Sequence, residues 1–277
     1  MDTQLFQQII YQHFQDNPRH LPWRTTTDPY QIMVSEIMLQ QTQVERVQPK
    51  YEAFLARFPT IESLAQASLA EVLGQWQGLG YNRRGMMLQR AAETIVNQYA
   101  GTIPDDPVLL AQLPGIGPYT AGAITAFAFG HPTPVIETNI RSVFIHFFFP
   151  NVTAVNDREI LSLVELTMDR NNIRDWYNAL MDYGVMLKKT TPNPSRRSRS
   201  HSRQSPFRGS NREIRGEILR LLLATPGLTA GEIAQRSGKD EERVVTILTL
   251  LVSEGLLQKQ AEVYLVGNGT EQAFPAG

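Results

Sequence analysis

Residues 113–139 read LPGIGPYTAGAITAFAFGHPTPVIETN, and this stretch restricts the fold of the chain more than any other. Gly115 and Gly117 stand on either side of one residue. That spacing permits a tight turn and a close approach of backbone to something outside the chain. A small-residue apolar helix is predicted at once, from Tyr119 to Phe129, so the turn sits at a helix N-terminus. Unpaired N–H groups and the positive end of the helix dipole favour an anion there, such as a phosphate. Gly130 suits the left-handed residue that ends a helix. His131, Pro132 and Pro134 follow, and then Glu137 beside Asn139. A lone Gly-x-Gly is more often a plain turn than a phosphate clamp; the full pattern is far more specific.

The chain has 277 residues, enough for a substantial core and more than one domain. No apolar run is long enough to span a bilayer. The N-terminal MDTQLFQQIIYQHFQDN carries an early Asp and no basic n-region, so it does not read as a signal peptide. The expected location is the cytoplasm, with access to the chromosome (nucleoid-associated). Cysteine is absent, which excludes disulfides, thiolate catalysis and Cys-ligated zinc or iron–sulfur clusters. Net charge is −1, yet residues 188–215 hold nine Lys/Arg against one acid, Glu213. A local +8 on an otherwise acidic chain reads as a phosphate-contacting patch, or as a solvated basic linker, or as both.

Periodicity predicts helices throughout the first 190 residues. They fall at residues 3–15, from Asp28-Pro29 through Gln41, at Val47–Phe58, Ile61–Gln66 and Leu69–Gln75, and at Arg84–Tyr99. A short helix leads to Gln112, and others follow at Ile140–Phe149, after Asn156 and at Trp176–Leu187. Period-2 alternation is nearly absent, so the body is expected to be all-α. Residues 190–210 are rich in Ser, Pro and Arg, a linker composition. Helices are then predicted at Glu213–Ala224, Leu228–Ala234 and Asp240–Glu254, with strands at Gly255–Leu257 and Val263–Val266. Three helices and a β-hairpin resemble a winged helix. The expected division is a helical body over 1–187, a basic linker over 188–210, a winged-helix-like domain over 211–267 and a tail over 268–277.

The second informative stretch is Val34-Ser-Glu-Ile-Met-Leu-Gln-Gln-Thr42. Glu36 sits between apolar Val34 and Ile37. A carboxyl group in an apolar wall has a raised pKa and can act as an acid near neutral pH. An isolated helical Glu is usually a cap or half of an ion pair. Here a second carboxylate, Glu137, follows the glycine turn. Two carboxylates in unlike environments suit the cleavage of a glycosidic bond: one protonates the leaving group, the other stabilises an oxocarbenium-like sugar.

LPWR at 21–24, SEIMLQQTQV at 35–44, GLGY at 78–81, LPGIGPYTAGAI at 113–124 and the acidic-x-Asn at 137–139 occur in one order. This order resembles that of the helix-hairpin-helix (HhH-GPD) DNA glycosylases, and most of all the MutY-type adenine DNA glycosylases, over about residues 5–187. The resemblance implies a two-lobed body that hydrolyses the N-glycosidic bond of a base extruded from double-stranded DNA at a mispair or lesion, as a monomer. It implies Glu36 as the general acid toward adenine N7, and Glu137 as the carboxylate facing the cationic sugar. Asn139 would orient Glu137 or a water. Tyr119 stands where bifunctional relatives such as endonuclease III carry a Schiff-base Lys, which implies a monofunctional hydrolase. Trp23, Arg24, Leu39, Gln41 and Asn82 are implied as base-pocket or wedge residues. Leu113, Gly115, Ile116, Gly117 and Thr120 would hold DNA backbone, with hairpin carbonyls available to a monovalent cation. Trp23 and Leu39 also suit plain core positions.

Four departures from the pattern stand out. The family's Asp is Glu137, one methylene longer. The family's four cluster-binding cysteines after Gly184 are missing, so no 4Fe–4S cofactor is expected. Arg196, Arg197 and Arg199 stand in that segment and are expected to supply backbone contacts. A winged-helix-like segment replaces the domain that reads 8-oxoguanine, and Asn82 replaces a second Tyr after GLGY. Two other functions therefore stay open: a glycosylase acting on a different mismatched or damaged base, and a non-catalytic winged-helix regulator.

Overall fold

The computed structural model describes residues 1–201 and 206–267. In chain order the helices are α1 (Thr3–Asp16), α2 (Pro29–Leu39), α3 (Val44–Arg57), α4 (Ile61–Ala65), α5 (Leu69–Trp76), α6 (Arg83–Tyr99) and α7 (Pro107–Leu110). Then come α8 (Pro118–Phe129), α9 (Thr138–Phe148), α10 (Asp157–Thr167), α11 (Ile173–Thr190), α12 (Asn211–Ala224), α13 (Ala230–Ser237) and α14 (Glu241–Ser253). Three short strands, β1 (Leu228–Thr229), β2 (Leu257–Gln260) and β3 (Val263–Val266), form an antiparallel sheet in the order β1-β3-β2. The fold is mostly helical, as the sequence pattern predicts. Its helices start where the sequence supplies caps: Thr60, Ser68, Asn156 and Thr229 each close a reciprocal capping box.

The described chain forms two compact units. One comprises residues 1–36, 104–112 and 116–201; the other comprises residues 37–103, 113–115 and 206–267. In the first, α9 and α11 pack along one another, and α1 joins them through an aromatic cluster. Phe6, fully buried, meets Phe144, Phe147, Phe148 and Trp176 edge-on, with ring centroids 5.0–5.7 Å apart. Such pairs contribute roughly 0.5–1.5 kcal/mol each beyond the area they bury.

The second unit has a continuous apolar core that takes Leu69, Leu73 and Met86 from α5 and α6. The same core takes Ile214, Ile218 and Leu222 from α12, Ile247 and Leu251 from α14, and Tyr264 from β3. Gly85 lets α6 approach α5: a Cβ there would lie 2.9 Å from the Trp76 indole.

Local differences from the sequence expectations have physical causes. Leu228 and Thr229 pair with Tyr264 and Val263 as a strand, so helix α13 begins two residues later than its composition suggests. The strand expected at 255–257 starts at Leu257 because Gly255 (φ +77°) ends the preceding helix turn. Helix α11 runs to Thr190, and residues 191–200 fold onto α9 and the residues after it. Val155 N–H donates to Arg197 O, and Arg199 N–H donates to Val155 O. Ser195 is buried. This part of the expected linker is ordered structure.

Candidate active site

Helix α2 is buried all round where it carries Glu36: Met33, Val34 and Ile37 are each at most 1% exposed. Glu36 itself is 8% exposed. Burial, reinforced by the nearby Glu137 charge, pushes the Glu36 carboxyl up to about 7, while a hydrogen bond from Tyr119 opposes the shift. The Tyr119 hydroxyl lies 3.5 Å from Glu36 Oε2, at the long limit of a hydrogen bond. Tyr119 sits in the first turn of α8, directly after Pro118, where the missing N–H costs nothing.

Glu137 occupies the N-cap of α9. Its Oε1 accepts from the backbone N–H of Asn139 (2.6 Å) and Ile140 (2.8 Å), and its Oε2 accepts from Asn139 Nδ2 (3.2 Å). Burial raises the Glu137 carboxyl; the two amides, the Lys188 ammonium and Arg141 pull it back. The approach to Glu137 is pinned by Tyr177, whose hydroxyl donates to Thr133 O (2.8 Å) and accepts from Val135 N–H (3.1 Å). Gly122 of α8 lets that segment close in, since a Cβ there would stand 2.6 Å from Val135 Cγ1.

One residue of this constellation is invisible to the motif reading. Lys188 Nζ, from α11, donates to Asn139 Oδ1 at 2.7 Å. An ammonium is a donor only, so it orders the carboxamide with its oxygen toward Lys188 and its Nδ2 toward Glu137. The chain Lys188–Asn139–Glu137 thus presents a carboxylate held by one cation relay and one helix N-terminus. Gly184, one turn earlier on α11, makes room for it: a Cβ there would lie 2.5 Å from Asn139 O. The sequence signal for this pair was the small residue at 184 and the lone Lys on the same helical face.

The remaining expected site residues are distributed differently. Trp23 is buried, in the 3-10 turn Pro22–Arg24. Arg24, expected at the base pocket, is engaged with a buried acid. Both its terminal nitrogens hold the Asp182 carboxylate at 2.8 Å, where Arg19 also binds at 3.0 Å, and the Asp182 side chain is 1% exposed. The cause is a buried acid on α11 that needs compensation. Leu39, Gln41 and Asn82 belong to the second unit. Gln41 (φ +53°) and Asn82 line one cleft there, and Leu39 does not.

In the hairpin, Leu113 and Ile116 point inward (each 4% exposed), which leaves Gly115 (φ +74°) and Gly117 exposed at the tip. Thr120 is 3% exposed, so its side chain is a packing residue rather than a surface contact. Arg197 is likewise committed inward. Its guanidinium donates to the carbonyls of Ile145, Phe149, Pro150 and Val152, which close the C-terminal end of α9. Arg196 and Arg199 remain exposed.

This segment also answers the question of a cluster. Where the resemblance implies cysteine ligands, the side chains present are those of Asn193, Ser195, Arg197 and Ser198, joined to one another and to backbone. None supplies a thiolate, so the residues do not fit an iron–sulfur group. Among the described residues no cluster of His, Asp and Glu could hold a metal ion. No helix among them is long and apolar enough to cross a membrane.

Comparisons with known proteins agree with this geometry. Residues 34–164 match the family described as HhH-GPD superfamily base excision DNA repair protein. The adenine DNA glycosylase of Mycolicibacterium smegmatis is 33% identical over 278 residues, covering 93% of this chain and 94% of that protein. The adenine DNA glycosylase of Buchnera aphidicola subsp. Baizongia pistaciae is 35% identical over 194 residues; the match covers 68% of this chain and only about half, 54%, of that protein. Among solved structures, a thermostable thymine-DNA glycosylase superposes with a TM-score of 0.62 at 27% identity, covering 66% of this chain and 86% of its own. With both carboxylates, the hairpin and a near full-length relative in hand, the chain belongs to the HhH-GPD superfamily of base excision DNA repair proteins and, within it, to the adenine DNA glycosylase family.

Proposed function

We propose that this protein is a monofunctional DNA glycosylase that releases adenine from a mispair. The observation that carries the reading is the pair of carboxylates in unlike settings, Glu36 in an apolar wall and Glu137 on a helix N-terminus. A carboxyl near pKa 7 is half protonated at neutral pH and can give its proton as the base departs. Adenine offers N7 as the acceptor, and a pyrimidine has no equivalent nitrogen, which favours a purine leaving group.

In this mechanism the target base leaves the stack, because its glycosidic bond is out of reach inside a duplex. Glu36 protonates N7 and the C1′–N9 bond breaks, with its electron pair going to the base. Positive charge develops on the sugar and meets the Glu137 carboxylate, which Asn139 and the α9 amides hold in place. Charge placed in advance in a dry site acts without reorganisation. A water then adds to C1′, and its proton passes to Glu137 or solvent. Tyr119 cannot form an imine with the sugar, so the product is an intact abasic strand.

The likeness to a thymine-DNA glycosylase structure keeps one second reading in view, a mismatched pyrimidine. Duplexes that each carry one mispair, with the target base radiolabelled, separate the two. Adenine release without strand scission supports the proposal. Thymine release, or a borohydride-trappable complex, overturns it.

A further inference from the structure

The C-terminal part of the chain has three helices and a small sheet, the order of elements of a winged helix. In that architecture the helix following the turn is expected to enter the major groove, with base contacts from its N-terminal residues. Here that helix is α14, and its chemistry is wrong for the task. Its exposed positions are Glu241, Glu242, Arg243, Val245, Thr246, Thr249, Leu250 and Ser253, so the end that would meet DNA starts with two carboxylates after Asp240. Its one basic residue, Arg243, is drawn back onto Gly209 O (2.7 Å) and Asn211 Oδ1 (3.0 Å). Phosphates would be repelled.

The opposite pattern appears on α12. A cleft of about 1010 Å³ runs between α12 and the Gly78–Arg84 turn of the same unit. Six arginines and three glutamates line it, a net +3. The glutamates are all engaged: Glu254 with Arg215, Glu217 with Arg220, and Glu213 with Lys239. The wall opposite α12 is rigid. Arg84 donates to the carbonyls of Ile37, Met38, Gln40, Leu79 and Gly80, and the Trp76 indole donates to Gly80 O. At its rim Tyr81, a non-glycine residue at φ +47°, stays 37% exposed. Its hydroxyl accepts from Arg212 at 2.9 Å, and the Arg84 and Arg212 guanidinium carbons lie 5.5 and 5.7 Å from its ring centre. A strained aromatic residue held at an exposed rim among cations is a recurring mark of a ligand-facing position. A basic groove with an aromatic rim suits a nucleic-acid backbone with a base beside it.

We infer that the C-terminal segment holds duplex DNA through α12 and not through α14, with Arg83 and Arg212 contacting backbone phosphates in the cleft shared with the Gly78–Arg84 turn. The contact is independent of sequence, and it rests on the glycosylase reading for the identity of the polyanion. It extends the expected DNA-contacting surface onto α12, since Gly115 of the hairpin and Gln41 and Asn82 line the same cleft.

The test uses the full chain and a fluorescent duplex of about 30 base pairs, with affinity read by anisotropy from 50 to 200 mM salt. Arg83→Ala/Arg212→Ala is expected to lower the slope of log K against log salt by about 1.8, for two lost phosphate contacts. The advantage of the wild type then shrinks roughly 12-fold across that range. Arg212→Lys should keep a slope close to wild type, because a phosphate contact needs the charge and a packing role beside Tyr81 needs the guanidinium plane. Thr246→Glu/Thr249→Glu on α14 should leave both affinity and slope unchanged. An unchanged slope in the double Ala variant, a Lys variant that behaves like Ala, or weakened binding from the α14 variant each overturns the inference. Single-turnover base release is scored separately, so a protein that binds by α12 but frees no base would refute the glycosylase reading alone.

Discussion

Replacing Glu36 by Gln should stabilise the protein while removing its chemistry, and the gain should depend on pH in a calculable way. The carboxyl titrates near 4.5 in the unfolded chain and near 7 in the folded one. Between those values the folded state binds more protons than the unfolded state, so the wild type loses stability as pH rises through the window. The full shift corresponds to about 3 kcal/mol. Gln cannot ionise and carries no such penalty. Its own burial cost is independent of pH and cancels when two pH values are compared. The stabilisation at pH 8 should therefore exceed that at pH 5 by about 2.5 kcal/mol. Urea denaturation of both proteins at the two pH values measures this. Base release by the variant should fall by roughly 10²–10⁴, and its residual rate should not vary with pH around 7. Wild-type turnover should decline above pH 7 as the acid loses its proton. An equal gain at pH 5 and pH 8 would refute the argument, because it would mean that Glu36 titrates normally and is no poised acid.

Further outcomes concern the frame around Glu137. Lys188→Met should lower kcat roughly 10–100-fold with KM little changed. Loss of the cation raises the Glu137 carboxyl, so the acid limb of the pH–rate profile should move to higher pH, and Lys188→Arg should restore part of the rate. Gly184→Ala places a methyl 2.5 Å from the Asn139 carbonyl oxygen, so single-turnover kinetics should show a larger loss in activity than thermal melting shows in stability. Asp182→Ala leaves the Arg24 guanidinium, 11% exposed, without its anion. Urea denaturation should show a loss of about 3–5 kcal/mol.

The motif order made the two carboxylates legible, because each sits in a distinctive local string and the chemistry requires a pair. Helices were legible where caps and periodicity coincide. What could not be read are relations between distant residues. Lys188 lies 49 positions from Asn139 and reads as the first residue of a basic tail, not as part of a site. Arg24 stands in a short motif that suggests a pocket, and only the fold reveals the buried acid 158 positions away that claims it. Composition groups Arg197 with Arg196 and Arg199 and cannot tell which of the three turns inward. A residue pattern likewise does not disclose that α14 shows carboxylates outward while α12 lines a basic cleft.

The Arg197 anchor has a consequence for how the protein matures. Its bonds to the carbonyls closing α9 form from groups that every nascent copy already carries. Assembly of this segment then needs no metal cluster delivered to it. With no thiol anywhere in the sequence, peroxide and iron scarcity have no handle on that segment. The integrity of this segment rests on the chain's own hydrogen bonds, not on a bound group that an oxidant or a chelator could remove.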